Sequence, residues 1–214
     1  MLVLAIACAN FSTSLALVNK DKILAEFKNV STYHESATLI PHIEDLFKQS
    51  AQSLAQLESI IVTIGPGSFT GIRLGIAAAR GLSYALKIPL YAVNSFNWVA
   101  HSYKKYFGLS TDILVALESK REEIFVSSYS KDLVCQRTPD FLTPKEVMAS
   151  LELNSFNVTG DAALYFNCAK KEIKNWMPDA SDLAHYMFTY QSFPEKFDDC
   201  RPYYIRAPEI HGQS

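Results

Sequence analysis

No apolar run in this chain reaches the ~18 residues that a membrane-spanning helix requires, so no span is expected. Cysteine is scarce. The four (Cys8, Cys135, Cys168, Cys200) stand far apart with no C-x-x-C pair, which argues against a structural zinc site or a disulfide framework and fits a reducing compartment. Charge of one sign is also lacking: 20 Lys and Arg face 22 Asp and Glu, for a net charge of −2. That excludes a general nucleic-acid coat and leaves only local basic pairs at Lys104-Lys105, Lys120-Arg121 and Lys170-Lys171, which read most simply as solvated faces. Hydrolase signatures are missing too. There is no H-E-x-x-H and no G-x-S-x-G elbow among the residues, and the five histidines are His34, His42, His101, His185 and His211. His34 and His42 stand eight apart, about 12 Å along one helix, too far to share a metal ion, and no metal site is expected.

What is present fits a folded α/β protein. At 214 residues, 49% hydrophobic and 20% charged, the chain can build one large domain or two small ones with a genuine core. The opening MLVLAIACA has no basic residues before its short apolar run, so it reads as a strand rather than a leader. Cys8 within it reads as a small buried hydrophobe. The expected location is the cytoplasm.

Two β-rich sets follow one another, each succeeded by helices. The first holds strands at 2–9, 14–18 and 23–30, with turns at Asn10-Phe11-Ser12 and Asn19-Lys20-Asp21-Lys22. A helix from about Glu35 to Gln49 carries Leu39, Ile43, Leu46 and Phe47 on one face, with Pro41 forcing a late start or a kink. Tyr91 to Val93 is a short strand, and Ser95 is expected to cap the next helix. The second set reads as strands at Ile113–Leu117, Ile124–Tyr129 and Leu133–Arg137, then Thr143-Pro144-Lys145-Glu146, a helix start with cap, proline and glutamate in order. Phe156 to Thr159 is a strand stopped by Gly160-Asp161, before a helix through Lys171. A last helix, capped by Asp179 or Ser181, runs through Met187, and an irregular tail carries Pro194, Pro202 and Pro208. Two α/β lobes, residues 1–100 and 101–214, are the expected organisation.

Residues Ile60 to Gly81, IIVTIGPGSFTGIRLGIAAARG, run from strand through a glycine-rich turn into an amphipathic helix. Such a turn is where α/β proteins bring backbone close to a ligand or partner. A Walker loop would need a lysine after its last glycine, and Ile72 stands there instead; Gly65, Gly67 and Gly71 are one residue too long for G-x-G-x-x-G. Gly71, Gly75 and Ala78 recur at helical spacing with Leu82, and glycines inside a helix cost about 1 kcal/mol each unless close packing offsets it. Internal packing and a protein interface both satisfy that pattern. Ser68 reads as the helix cap. Arg73 and Arg80, on one face, suit either salt bridges with the Glu35–Asp45 helix or charge pairing across an interface.

The phrase Gly65-Pro66-Gly67-Ser68-Phe69-Thr70-Gly71-Ile72-Arg73 resembles the GPGSFTGLR motif of the TsaB family, also called YeaZ. Weaker pieces fall in the family's order. Leu4-Ala5-Ile6 is similar to its LAIDTS start, and His34 with Leu39-Ile40-Pro41-His42-Ile43 to H-x-x-x-L-x-P-x-I. Glu118 to Ile124 resembles D-A-R-x-x-E-V, and Pro202-Tyr203-Tyr204-Ile205-Arg206 resembles P-x-Y-L-R. The resemblance spans essentially the whole chain. It implies a two-lobed ASKHA fold (actin-like ATPase, ribonuclease H-like). It further implies a non-catalytic subunit of the machinery that makes threonylcarbamoyladenosine on the tRNA adenosine 3′ of the anticodon. The implied partners are a TsaD-type transferase, a TsaE-type ATPase reached through the complex, tRNA indirectly, and a second copy when the chain is alone. By the same analogy Leu39, Ile43, Phe69, Ile72, Arg73, Gly75, Ile76 and Ala79 form the partner or homodimer interface. The isolated chain is expected to bind no cofactor, ATP belonging to the level of the complex.

The residues agree with that reading. An actin-like ATPase needs a carboxylate and glycines after its first strand; here Ala7-Cys8-Ala9-Asn10-Phe11 supplies neither, and Ala7 replaces the family's aspartate. Glu118 stands at the second equivalent place, where pairing with Lys120 or Arg121 is the simpler role. The competing reading is an actin-fold phosphotransferase or ATPase acting on its own.

Overall fold

The computed structural model describes residues 1–9, 12–20, 22–29, 35–108, 111–166, 173–189 and 200–205, with side chains in the first helix from Leu39 onward. The readings placed on Asn10, Phe11, Asp21, Val30, His34, Cys168, Lys170, Lys171, Pro194, Arg206, Pro208 and His211 lie outside the described residues.

The elements in chain order are β1 (Leu2–Ala7), β2 (Thr13–Asn19), β3 (Lys22–Asn29), α1 (Glu35–Ser50), β4 (Ser59–Thr63), α2 (Phe69–Leu86), β5 (Leu90–Val93) and α3 (Ser95–Phe107). They continue with β6 (Asp112–Leu117), β7 (Ile124–Tyr129), β8 (Cys135–Leu142), α4 (Pro144–Ser150), β9 (Phe156–Thr159), β10 (Ile173–Lys174) and α5 (Ala180–Thr189). Two five-stranded sheets result. The first has the order β3-β2-β1-β4-β5 and the second β10-β9-β6-β7-β8. In each, three strands form an antiparallel meander and the remaining two add in parallel on the far side of the first strand. The second sheet therefore repeats the topology of the first.

The sequence explains where each strand sits. β1 (LVLAIA) is apolar throughout because it is central and buried on both faces. Leu4 and Ile6 point with Ile60, Val62, Leu15 and Leu17 towards the helices α1 and α2. Val3 and Ala5 point the other way, into a second core that α3, α5 and the second sheet's Ile113 and Val115 complete. A third core lies on the outer face of the second sheet, around Val126, Val147 and Phe166. The outermost strands carry charge and proline instead: Lys22, Glu26 and Lys28 on β3, and Arg137, Pro139 and Asp140 on β8. Such residues blunt an open sheet edge.

Several local readings change. Pro41 lies inside α1 without ending it, on the exposed side of the helix. Asn94, not Ser95, caps α3, because its Oδ1 accepts the Phe96 N–H at 2.8 Å. β8 runs from Cys135 to Leu142, longer and later than expected, because Pro139 costs only an edge hydrogen bond. After Gly160-Asp161 stands a 3-10 turn, Ala163–Tyr165, where a helix through Lys171 was expected; residues 167–172 lie outside the description. The Thr143 capping box forms as read, its Oγ1 accepting from Glu146 N and Glu146 Oε2 accepting from Thr143 N. For α5 it is Asp179 that closes the first turn, its carbonyl accepting from Asp182 N at 3.0 Å.

The division near residue 100 separates the two sheets, but not every later element stays with the second. α5 packs on β1 and β2, and Ala180 N donates to Ser14 Oγ at 2.9 Å. Cys200 is buried in the first core.

Candidate partner face and the glycine turn

The turn Gly65 to Ser68 is fixed by backbone from three distant places. Ser68 N donates to the Ala9 carbonyl at 2.6 Å, Ser95 N to the Gly65 carbonyl at 2.8 Å, and Tyr203 N to the Ile64 carbonyl at 2.8 Å. Ser68 Oγ accepts from Gly71 N at 3.2 Å and so caps α2 as read. Gly67 has φ +148°, and a Cβ there would lie 1.8 Å from the Ala9 carbonyl oxygen. The closest approach is therefore taken by a carbonyl of this chain. A phosphate placed there would meet an oxygen carrying partial negative charge, which is the opposite of what a phosphate loop offers.

The small-residue stripe of α2 faces inward. A Cβ on Gly71 would stand 2.1 Å from the Cys8 carbonyl oxygen, and one on Gly75 would stand 3.2 Å from Cys8 Cβ and 3.5 Å from Ile6 Cγ2. Cys8 is the small buried hydrophobe that the sequence indicated, and the two glycines let α2 lie directly on it. Of the eight positions assigned to a partner surface, Leu39, Ile43, Ile72, Gly75, Ile76 and Ala79 are buried in this chain's own core. The sequence pattern locates the apolar side of each helix, and in the folded chain that side is already occupied by β1 and β4. Phe69 and Arg73 stand at the surface.

Within the chain, Arg73 turns to the C-terminal segment and not to the α1 carboxylates. Its guanidinium lies 3.7 Å from the Phe69 ring centroid, and its Nε donates to Tyr204 Oη at 2.9 Å. Phe69 and Tyr204 stack with centroids 5.4 Å apart. The segment 200–205 thus clasps the start of α2. The P-x-Y-L-R likeness was the only sequence signal for this contact.

The outer side of α2 presents Thr70, Arg73, Ala77, Gly81 and Tyr84 at intervals of three and four, all exposed. A Cβ on Gly81 would meet nothing within 4 Å. Gly81 is thus a helix-interior glycine with no packing among the described residues to offset its cost. Tyr84 is 84% exposed beside it, and Ile40 of the neighbouring α1 is 47% exposed.

The second lobe holds a carboxylate pair that the sequence reading divided. Glu118 Oε1 accepts from the backbone N–H groups of Ser119 at 3.0 Å and Lys120 at 2.8 Å, and its Oε2 accepts from Tyr165 Oη at 2.9 Å. Asp161 Oδ1 accepts from Glu118 N at 2.8 Å. Burial, with the Glu118 charge adding to it, pushes the Asp161 carboxyl up to about 6. The Gly160-Asp161 turn at the end of a parallel strand was the available signal for this group. Among the described residues, no group of three or more His, Cys, Asp or Glu is arranged to hold a metal ion, and no helix is long and apolar enough to cross a membrane.

A strand order used twice, each time with a glycine turn after the fourth strand, defines a two-lobed actin-like fold of the ASKHA kind. Residues 23–183 match the family model described as TsaD, tRNA N6-adenosine threonylcarbamoyltransferase, and the chain belongs to that family, in its TsaB (YeaZ) group. It is 30% identical over 142 residues to the tRNA threonylcarbamoyladenosine biosynthesis protein TsaB of Bacillus subtilis, a match covering 65% of this chain and 61% of that protein. The TsaB of Escherichia coli is 30% identical over 132 residues, 62% of this chain and 56% of that protein. These matches therefore span less than two thirds of the length of either relative. In fold, the chain is similar to the solved YeaZ of Pseudomonas aeruginosa, with a TM-score of 0.74 at 21% identity, covering 95% of this chain and 100% of that one. A further P. aeruginosa structure, described as an uncharacterized protein with similarity to peptidase YEAZ, gives 0.79 at 20% identity, covering 96% and 99%.

Proposed function

We propose that this chain is a non-catalytic subunit in the synthesis of threonylcarbamoyladenosine on tRNA. In this reading it binds and supports a TsaD-type transferase, meets a TsaE-type ATPase through the complex and tRNA indirectly, pairs with itself when alone, and works in the cytoplasm. The names of its relatives support the pathway. The observation that carries the non-catalytic part is the first-lobe turn, where the Ala9 carbonyl fills the space in front of Gly67. No carboxylate stands at Ala7, Cys8 or Ala9 to hold a metal ion beside it.

The partner face in this reading is the outer side of α2 with the adjoining surface of α1: Phe69, Arg73, Ala77, Gly81, Tyr84 and Ile40. The buried positions Leu39, Ile43, Ile72, Gly75, Ile76 and Ala79 act from beneath by fixing where the two helices lie. A helix can approach closest over Ala77 and Gly81, whose side chains are a methyl group and a hydrogen.

The test is size exclusion of this chain mixed with the TsaD-type protein of its own organism, with and without ATP and the TsaE-type ATPase. Ala77→Arg is expected to abolish co-elution while the monomer keeps its thermal midpoint, since Ala77 touches solvent. Intact co-elution of that variant would overturn the assigned face. ATP turnover by the isolated chain of about 1 s⁻¹, ordinary for an enzyme, would overturn the non-catalytic reading in favour of an independent actin-fold phosphotransferase.

A further inference from the structure

Two adjoining cavities lie away from α1 and α2, between α3, α5 and the β7–β8 turn. The first, of about 460 Å³, is lined by His101, Lys104, Lys105, Asp132 and His185. The second, of about 290 Å³, is lined by Asn97, Tyr129, Cys135 and Tyr186. His101 and Leu133 belong to both walls, so the two form one bipartite hollow of the size that small ligands occupy.

The two halves differ in chemistry. In the first, α3 contributes a histidine and two lysines within one turn of each other, and α5 contributes His185 opposite them. Asp182, only 5% exposed, is already matched by Lys105 Nζ at 3.2 Å and Tyr106 Oη at 2.7 Å. Lys104 Nζ donates to the Lys131 carbonyl at 3.0 Å, which holds its charge over the cavity without neutralising it. Burial, then the Lys105 charge, holds both imidazoles below the ordinary histidine range; Lys104 and His185 add to this at His101, and Asp182 opposes it at both. An anion entering this half would meet two lysines and two imidazoles, with the carboxylates of Asp182 and Asp132 opposing it. The second half is aromatic and amide-lined. His101 meets the Tyr186 ring edge-on at 5.1 Å, and Asn97 Oδ1 accepts from Tyr129 Oη at 2.7 Å, which leaves the Asn97 amide N–H groups as donors.

We propose that this hollow binds a nucleoside phosphate, the phosphate lying against His101, His185, Lys104 and Lys105 and the planar base in the adjoining cavity beside Tyr186 and Asn97. The same group can come as a free nucleotide or as an unpaired nucleotide of an RNA chain. The ligand's charge supplies what the imidazoles lack, so binding draws protons onto them. The titratable groups that line the hollow or act on those rings are Lys104, Lys105, Asp182, Asp132, Tyr129, Tyr186 and Cys135, and the two aspartates are the carboxylates among them.

The experiment follows the histidine ring signals of the full chain by NMR, assigned with His101→Gln and His185→Gln, during titration with AMP, ribose 5-phosphate and an unstructured RNA of about six nucleotides. Expected are saturable shifts at His101 and His185 but not at His42, with a Kd for AMP below about 1 mM, and an upward move of both imidazole titrations in its presence. Ribose 5-phosphate, lacking the base, is expected to bind about tenfold more weakly. Lys104→Ala and Asn97→Ala, both at exposed positions, should each weaken AMP about tenfold with an unchanged thermal midpoint. Tighter binding of RNA than of AMP assigns the source to an RNA chain, and the reverse to free nucleotide. Absence of saturable shifts with all three probes, or shifts spread evenly over every histidine, overturns the site. Equal affinity for AMP and ribose 5-phosphate overturns the base cavity.

Discussion

The two lobes use one backbone device and then part company. In the first, a Cβ on Gly67 would stand 1.8 Å from the carbonyl oxygen of Ala9; in the second, a Cβ on Gly160 would stand 1.9 Å from that of Ala116. Both glycines follow the strand that adds in parallel to the lobe's central strand, and both have positive φ, +148° and +111°. Beyond that point the first lobe carries an 18-residue helix seated on Cys8, and its turn holds no carboxylate. The second lobe carries a three-residue 3-10 turn and the Glu118–Asp161 pair. A shared topology thus fixes the close approach of two chain segments, while the residues that follow decide between a packing surface and a polar one. Function has to be argued lobe by lobe from those residues.

The comparison breaks most severely at its common element. Gly67→Ala and Gly160→Ala each push a methyl group into a carbonyl at a backbone angle that L-residues rarely adopt. Each is expected to cost more than about 4 kcal/mol or to prevent folding, measured by urea unfolding or, failing that, by soluble yield. If only one of them destabilises, the two turns are not equivalent.

A smaller effect separates the lobes by pH. The Asp161 carboxyl lies near 6 in the folded chain against an ordinary 3.8, so the native state binds the extra proton. Its contribution is fully present below about 3.8 and is lost as pH rises through about 6. Asp161→Asn keeps an oxygen for the Glu118 N–H and removes the buried charge. At pH 7.5 it should stabilise by about 1–2 kcal/mol, and the gain should vanish near pH 4 in thermal melts. A gain independent of pH would assign it to something other than the charge.

The smallest effect has the opposite sign from that at Gly67. Gly81→Ala, in open space on α2, should stabilise the monomer by about 0.5–1 kcal/mol through helix propensity, read from the urea midpoint. The same substitution is expected to weaken partner binding in co-elution, because it adds a methyl where the two backbones would be closest. A variant that is more stable and binds undiminished would detach Gly81 from the partner face.

Much of the architecture was legible because short apolar runs bounded by turn residues, and helix caps, are local signals. β1, β4, β7 and β9, the Thr143 capping box and the Ser68 cap were all readable from neighbouring residues. The inward direction of Gly71 and Gly75 was not, since a small-residue stripe is the same string whether it meets β1 or a second protein. The contact of Arg73 with Tyr204 joins residues 131 positions apart, and no local pattern encodes it. The raised Asp161 carboxyl and the cavities beside His101 arise from tertiary burial, which residue spacing alone does not express. β10, two residues long, was too short to leave a periodic trace.

The docking of Tyr203 on Ile64 has a consequence in time. A ribosome reaches Tyr203 about 110 residues after it has finished β5, which is roughly 5–20 s of synthesis at ordinary elongation rates. Throughout that interval the motif that names the family lacks one of its three backbone anchors, and α2 begins without the Tyr204 clasp. The first lobe is thus among the earliest parts of the chain to be made and among the last to be completed.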